Sequence, residues 1–527
     1  MWKALIGKIR GWVGSMFGFI GNSESKQITD LIQTEISKEH YKFLESWKEI
    51  YAGYYSEWHD YKIQTVNGVK KKRRHTLNMA KISANELAKL IFTEQVEINI
   101  SDNSHNESME QLLNDNRFYK VFQEKVEQML ALGGMVLKAN PKEQPDGSTK
   151  LLIGYITPDC FVPISWENGE ITEGAFLNIS RKDKKIYCLF EIHRWVYTTN
   201  EQEQLVKLLT IENVLFEKDS ELGQPKRVPL STLYPDLQET ASIEGLTRPL
   251  FQYIKPNIAN NFDLQSPMGI SMYANSLDVL YAIDVAFDSF IREFKLGKRR
   301  IIVPTAAIKT VIDPQDGTMH RYFDADDEVY QAMNMGDPDK QKITDNTVGL
   351  RVGEHVAAIN ALLNLYSMQI GMSPGSFTFD GVSVKTATEV ISENSKTYQT
   401  IKANTNSLEE GLRNFIYTLT EVAALYDILP MPANDFDVEF LWDDSVIGDK
   451  YTDSDFYIKL LGSGIVSKKY VMLKVLGLTE EQAQEMMDEI KEEQQSETPD
   501  LNELLNADNP LNGLNGDKSK GGDNNEG

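Results

Sequence analysis

The longest helical pattern in the chain runs from Ala387 to about Tyr426, and it most restricts what this sequence can fold into. About forty residues at a rise of 1.5 Å would span about 60 Å, whereas the usual helix has about 11–12 residues. Its first half is polar on nearly every face, so it needs support from neighbouring structure. Its second half carries an apolar stripe, and Gly411 within it predicts a kink. The stripe consists of Leu408, Leu412, Phe415, Leu419 and Val422.

Two further helical stretches precede the long helix and bracket a small insert. The first runs from Ser271 to Gly297 and the second from Glu354 to about Ile370. Their apolar residues recur three and four positions apart, which predicts helices that pack along one face. The insert, residues 301–350, begins with a strand signal and continues with turn signals. The pattern predicts a two-helix stalk that carries a β-rich head.

The rest of the chain predicts an α+β fold. Residues 26–130 show helical periodicity, interrupted by a hairpin signal at Val66–Val69. Residues 134–216 change to a period of two and are rich in β-branched and aromatic side chains, which predicts antiparallel strands. Residues 437–442 return to a strand pattern, and shorter helical patterns follow through about Gln494.

The formal net charge of −24 argues against simple tight binding of DNA. A protein that grips phosphates normally shows a basic face, whereas an acidic wall repels phosphates and lets DNA slide. The basic run Lys70–Arg74 is either a solvated strand end or a contact with nucleic acid or a partner. Cys160 and Cys188 are too few for a disulfide framework, which predicts core filler in a reducing compartment.

The loop from Gly371 to Lys385 is rich in Gly, Ser and Pro, which predicts mobility and little regular structure. Thr386-Ala387-Thr388-Glu389 follows it as a capping box, a common helix start in which Thr386 and Glu389 satisfy each other's backbone N–H groups.

Residues 371–375 also match the Gly-x-Ser-x-Gly pattern of a nucleophile elbow centred on Ser373. The residue after such a nucleophile donates a backbone N–H to the oxyanion, and Pro374 has none. The sequence contains no phosphate-binding P-loop motif and no His-Glu-x-x-His motif. We therefore predict no catalytic site, metal site or cofactor.

The two ends of the chain differ from the rest in composition. Residues 1–29 contain an amphipathic stretch interrupted by Lys3, Lys8 and Arg10, which predicts a docking or disordered arm rather than a signal peptide. Residues 495–527 are rich in Asn, Gly, Asp and Glu, which predicts a disordered acidic tail.

The order of these parts resembles the portal proteins of tailed bacteriophages, specifically those with long tails that infect Gram-positive hosts. The segment Gly371–Lys402 carries the strongest resemblance, which extends over residues 30 to 490 or so. The resemblance implies a portal architecture with named parts. They are an N-terminal arm (1–29), a wing (30–270), a stem helix (271–297), a clip (298–353), a second stem helix (354–370), a tunnel loop (371–386), a long wing helix (387–428), a returning wing strand (429–449), a crown (450–494) and the tail (495–527).

The resemblance implies a structural protein of the virion, assembled in the host cytoplasm, and not an enzyme. Copies would form a ring, usually of twelve subunits, through which double-stranded DNA is packaged and ejected. Its partners would be the terminase large subunit, a head–tail adaptor, and the major capsid and scaffolding proteins, with no membrane involved.

The same resemblance suggests which residues meet DNA or a neighbouring subunit. Residues of the tunnel loop are candidates for transient DNA contact, namely Ser373, Ser376, Thr378, Asp380, Ser383 and Lys385. We also expect some acids of the first stem helix to face the channel or a neighbour, namely Asp278, Asp284, Asp288 and Glu293. The helix-start residues are Thr386, Thr388 and Glu389.

Three other interpretations stay open from the sequence. The chain could be another minor head or adaptor protein of a virion, without a DNA channel. An esterase acting through Ser373 is opposed by Pro374. A peripheral membrane protein could use residues 1–20 as its membrane contact.

Overall fold

The computed structural model defines most of the chain between residues 38 and 475. The structure describes residues 38–65, 68–92, 96–199, 205–219, 224–297, 349–379, 387–432, 436–442 and 457–475, short strands at 301–302, 309–312, 319–322 and 344–345, and scattered positions at 28, 31, 32, 34, 36, 203, 483, 484 and 486–490. The expectations for residues 1–27, for most of the clip and for the acidic tail lie outside these residues.

Helices predominate up to residue 132 and strands follow between residues 135 and 254, in agreement with the periodicity of residues 26–130 and 134–216. The helices are α1 (Lys38–Tyr51), α2 (Ser56–His59), α3 (Met79–Ile91), α4 (Asn103–Asp115), α5 (Phe118–Leu132), α6 (Leu277–Leu296), α7 (Val352–Gln369), α8 (Ala387–Leu425) and α9 (Lys468–Val475). The strands are β1 (Asp60–Thr65), β2 (Gly68–Arg73), β3 (Glu97–Ile100), β4 (Met135–Glu143), β5 (Thr149–Ile156), β6 (Phe161–Glu167), β7 (Glu170–Lys182), β8 (Lys185–Thr199), β9 (Leu205–Lys218), β10 (Lys226–Val228), β11 (Thr240–Glu244), β12 (Phe251–Ile254), β13 (Ile301–Ile302), β14 (Lys309–Ile312), β15 (Met319–Tyr322), β16 (Thr344–Asp345) and β17 (Val438–Leu441).

Antiparallel strands form the β part of the wing. The largest sheet has the order β10-β9-β8-β7-β6, with β11 also paired to β9, and a second sheet has the order β12-β4-β5. Their inward-facing aromatic rings pack together: Phe161 lies 5.2 Å from Phe176 and 5.4 Å from Phe251 between ring centroids. Cys188 of β8 is buried, in agreement with its predicted place as core filler.

A crossing of two glycine backbones joins the wing to the first stem helix. Gly133 ends α5 with φ +84°, in the left-handed region that glycine adopts easily. A Cβ on Gly269 would lie 2.2 Å from the carbonyl oxygen of Gly133, so only glycine allows this approach. Beyond the crossing, Met272 N donates to Leu130 O at 2.9 Å and Tyr273 Oη donates to Trp47 O at 2.9 Å. The chain therefore enters α6 from a fixed position.

The two stem helices, α6 and α7, pack side by side in antiparallel directions. Phe290 on α6 lies 6.1 Å from the ring of His355 near the start of α7. At the other end of α7, the Tyr366 hydroxyl is buried and lies 2.6 Å from Ser83 Oγ of wing helix α3. The stem is thus anchored to the wing at both of its helices. The described strands of the clip form two small pairs, β13 with β16 and β14 with β15.

The predicted long helix is confirmed as α8, which has 39 residues. All five residues of its predicted apolar stripe are buried, and they pack against β12, β4 and α3. Gly411 lies where α8 approaches β12, since a Cβ there would be 2.6 Å from Cγ1 of Ile254. The glycine expected to allow a kink therefore serves close packing. After α8 the chain returns to the wing, where β17 pairs with β3.

Residues 444–527 form a separate compact unit, of which the structure describes helical residues 457–462 and α9. None of the helices that the structure describes combines the length and apolar character needed to cross a bilayer.

Replacing Gly411 by alanine tests the close packing of α8 on β12. Ile254 is 2% exposed and has little room to move, so the added methyl group should overpack the site at a cost of roughly 1–3 kcal/mol. Alanine returns up to about 1 kcal/mol of helix propensity, so we expect a net loss of about 1–2 kcal/mol in thermal or urea unfolding. Gly353→Ala in α7 is the control, because nothing lies within 4 Å of its Cβ position. A Gly411→Ala variant as stable as this control would contradict the packing argument.

Candidate functional site

The first part of the predicted tunnel loop is held along the second stem helix. Asn364 Oδ1 accepts the backbone N–H of Gly375 at 2.8 Å, and Asn360 Oδ1 accepts that of Phe379 at 2.7 Å. Residues four apart lie on one face of a helix, so the two asparagines act as successive acceptors. The chain therefore doubles back along α7 after residue 371. Residues 371–379 contain no helix or strand, as the composition predicted, but these hydrogen bonds connect them to α7.

Aromatic packing holds the same segment from the other side. Phe379 lies between the stem helices, with ring centroids 5.4 Å from Phe290 and 6.2 Å from Phe287 of α6. Phe377 is buried against Tyr366 of α7, at 6.3 Å. Each burial of an aromatic ring of this kind contributes on the order of 2 kcal/mol, so the segment is part of the stem core.

The polar half of α8 finds hydrogen-bonding partners within the chain. Thr397 Oγ1 accepts the backbone N–H of Ser373 at 2.9 Å and donates to Ser373 Oγ at 3.0 Å. Thr400 Oγ1 donates to Gly371 O at 2.6 Å. One turn further, Asn404 Oδ1 accepts the backbone N–H of Asn257 at 3.1 Å, and Ser407 Oγ donates to Lys255 O at 2.9 Å. Between residues 397 and 407, the support that the polar half was expected to need from neighbouring structure comes from the chain itself.

The structure separates the loop residues that were candidates for DNA contact. Ser373 is 3% exposed, because it lies in the contact between the loop and α8. Ser376 and Thr378 are exposed. The other candidates, Asp380, Ser383 and Lys385, lie outside the described residues.

The long helix begins where the sequence predicted. Helix α8 begins at Ala387, the position that the capping box predicted. Thr386 lies outside the described residues, and so do the side chains of Thr388 and Glu389. The capping hydrogen bonds themselves stay a prediction.

Two acids of α6 contact residues that precede α3 in the chain. Asp284 is buried, accepts the backbone N–H of Leu77 at 2.8 Å and contacts His59 Nε2 at 3.1 Å. One turn later, Asp288 accepts from the backbone N–H of His75 at 3.0 Å and lies 2.7 Å from His75 Nδ1. Partial burial works against the charged form of Asp288, but the hydrogen bonds from His75 outweigh it and lower its pKa.

The third acid, Glu293, connects the two stem helices next to the clip. Its carboxylate accepts from Arg351 Nε at 3.2 Å and from a terminal guanidinium nitrogen at 2.9 Å, and His355 Nε2 lies 3.7 Å away. The hydrogen bonds from Arg351 lower the pKa of Glu293 to about 2. The remaining acid, Asp278, is exposed in the first turn of α6. We expected some of these four acids to face a channel or a neighbour. Three of them have partners within the chain, and a channel-facing role for any of the four stays a prediction.

Sequence reasoning missed the residues that hold this region together: His59, His75, Arg351, Asn360 and Asn364. The asparagines gave one usable signal, since two asparagines four apart in a mainly apolar stretch of a helix lie on the same face. In the part of the chain that the structure describes, no three metal-ligating side chains come together.

Removing the asparagine acceptors should loosen the loop. We expect Asn360→Ala and Asn364→Ala to increase amide hydrogen exchange across residues 371–379 by roughly tenfold, since losing a hydrogen bond to a half-buried N–H costs about 1–2 kcal/mol. Asn406→Ala, at an exposed position of α8, is the matched control. Unchanged exchange in both variants would show that the aromatic packing alone holds the segment.

The stem acids should differ sharply in their effect on stability. Asp284→Ala leaves a buried imidazole and a backbone N–H without their acceptor, so we expect a loss of about 2–4 kcal/mol in urea unfolding. Asp278→Ala changes an exposed residue of the same helix and should stay within about 0.5 kcal/mol of the parent. Equal effects of the two substitutions would refute the anchoring role of Asp284.

No curated protein matches the chain. The family described as "Phage portal protein, SPP1 Gp6-like" matches residues 32–500, from just before α1 to beyond α9, and the matched range includes α6, α7, the loop and α8. Because the match covers most of the 527 residues, the chain belongs to the phage portal protein family.

Proposed function

We propose that copies of this chain form a ring around a channel at one vertex of the capsid, and that double-stranded DNA is packaged and ejected through this channel. Membership of the portal family supports a structural role in the virion capsid. The family is structural rather than enzymatic, and the burial of Ser373 next to Pro374 gives no support to an esterase.

The observation that best supports a ring is the outer face of α7. Apart from its buried side towards α6 and the wing, the helix exposes a second apolar stripe made of Ala357, Ala358, Ala361, Leu365 and Met368. Leu365 is 43% and Met368 49% exposed. A contiguous exposed apolar stripe normally marks an interaction surface, so we expect this stripe to have a partner. A contact with a different face of the next copy, repeated around an axis, closes a ring.

The parts of the chain suggest how such a ring meets its partners. The clip, residues 298–353, would contact the terminase large subunit during packaging and a head–tail adaptor afterwards. The wing, residues 30–270, would contact the capsid and scaffolding proteins, and the crown, residues 450–494, would face the packaged DNA. We propose that the ring contains twelve copies.

The negative net charge of the chain is compatible with a channel through which DNA slides without binding tightly. With a net charge of −24 per copy, the channel wall as a whole would repel phosphates. Of the four acids of α6 named above, Asp278 is the exposed one, and Ser376 and Thr378 are the described loop residues whose side chains could touch DNA briefly. Lys385 at the base of the loop would add a transient phosphate contact.

Electron microscopy of the purified protein tests the proposal directly. We expect rings with a central hole wide enough for a double helix. Particles without a hole, or a chain that stays monomeric at every concentration, would favour the alternative of a minor head or adaptor protein without a channel.

Substitution of the outer face of α7 should prevent assembly without unfolding the subunit. Ala361→Arg places a charge in the centre of the apolar stripe, so we expect loss of rings in sedimentation velocity while circular dichroism of the subunit is unchanged. Gln399→Arg, at an exposed position of α8, is the control and should assemble normally. Normal ring formation by Ala361→Arg would remove α7 from the interface.

A further inference from the structure

A strongly basic hairpin projects from this acidic chain. Strands β1 and β2 form a two-stranded sheet of their own, which we call the basic hairpin (residues 60–73). Four of its lysines are exposed, namely Lys62, Lys70, Lys71 and Lys72. Lys62 lies directly opposite Lys71 in the strand register. Like charges at such positions destabilise a strand pair.

The positive charge of the hairpin is not neutralised within the described residues. No carboxylate of that part of the chain lies within ion-pair distance of the four lysines. An isolated two-stranded hairpin is also only marginally stable in water. The hairpin thus combines an unfavourable charge pair with a sheet that no other strand among the described residues extends.

The base of the hairpin, in contrast, is firmly fixed. The Arg73 guanidinium lies 4.7 Å from the ring centroid of Tyr54 and donates to Gly53 O at 3.2 Å. The Arg74 guanidinium lies 5.0 Å from the ring centroid of Tyr281 on α6. The next residue, His75, is held by Asp288 of the same helix. The stem therefore presents the four lysines from a defined position.

We propose that the basic hairpin docks on an acidic surface of the neighbouring copy of this chain. The proposal rests on the ring proposed above. Copies with a net charge of −24 repel one another, so a stable contact between them needs a local patch of opposite sign. Exposed wing glutamates supply such a surface, and Glu97, Glu107, Glu110 and Glu439 have no basic partner among the described residues.

One observation and one physical argument favour a protein partner over DNA. Val69 is 61% exposed and lies on the same face of the hairpin as Lys62 and Lys71, because residues two apart in a strand share a face. An apolar side chain between lysines suits a protein surface better than a phosphate backbone. Lysines that bound phosphates would also hold DNA through counterion release, which opposes movement through a channel.

A charge-reversal pair with a matched control tests the proposal. The test variant is Lys62→Glu with Lys71→Glu. The control is Lys142→Glu with Lys150→Glu, because these exposed lysines are also directly opposite each other in a hairpin, and both variants change the net charge equally. The subunit concentration needed for half-maximal ring formation is measured by sedimentation velocity at low and at high NaCl, and thermal unfolding of the subunit checks that both variants fold.

We expect the hairpin variant to need a concentration at least roughly tenfold higher than the control at low salt, with the difference shrinking as salt screens the contact. Equal assembly of both variants would overturn the hairpin contact while leaving the ring intact. Unchanged assembly combined with loss of binding to a DNA duplex would assign the hairpin to nucleic acid instead. Failure of the parent protein to form rings would refute the proposed function itself.

Discussion

The arrangement of the stem region depends on one constraint, which is that the polar half of α8 must satisfy backbone groups of two irregular segments. Residues 371–373 and 255–257 belong to no strand ladder or helix, and buried N–H and C=O groups in such segments need partners. Thr397, Thr400, Asn404 and Ser407 provide them. A helix of leucines at these positions would leave those groups unpaired. The polarity that makes this half of the helix weak in isolation is therefore what fixes the loop to the wing.

The acids of α6 show that charge in a proposed channel protein has two separate uses. Asp284 and Asp288 face the segment around residues 75–77 and hold it against the stem, and Glu293 joins the two stem helices. These carboxylates are paired with hydrogen-bond donors of the same chain, so they add less to the negative electrostatic potential in a channel. The repulsion that would keep DNA moving must come mainly from exposed acids such as Asp278 and from the net charge of the whole assembly.

The sequence alone predicted those elements whose structure depends on residues close together in the chain. The periodicity of apolar residues located both ends of α7 and α8 within two residues, because a helical face is determined by neighbours three and four positions apart. Helix α6 begins at Leu277, six residues after the predicted start at Ser271. The partners of the polar residues could not be found in this way. Asp284 meets Leu77 and His59, which are 207 and 225 positions away, and Asn360 receives an N–H from a loop whose composition predicts mobility. Those pairings depend on how distant elements pack together, and a pattern of neighbouring residues does not predict that packing.

Two exposed surfaces of the subunit, the outer stripe of α7 and the basic hairpin, would each be covered by a neighbouring copy in a ring. The outer stripe of α7 offers apolar area with no directional preference, and burying such area provides most of the affinity in a stable contact. The basic hairpin offers charge, which contributes less affinity but selects orientation and rejects wrong pairings. Apolar helices alone could slide past each other or pair face to face as dimers. A charged hairpin fixed to the same stem by Arg74 and His75 would favour the head-to-tail arrangement that closes a ring.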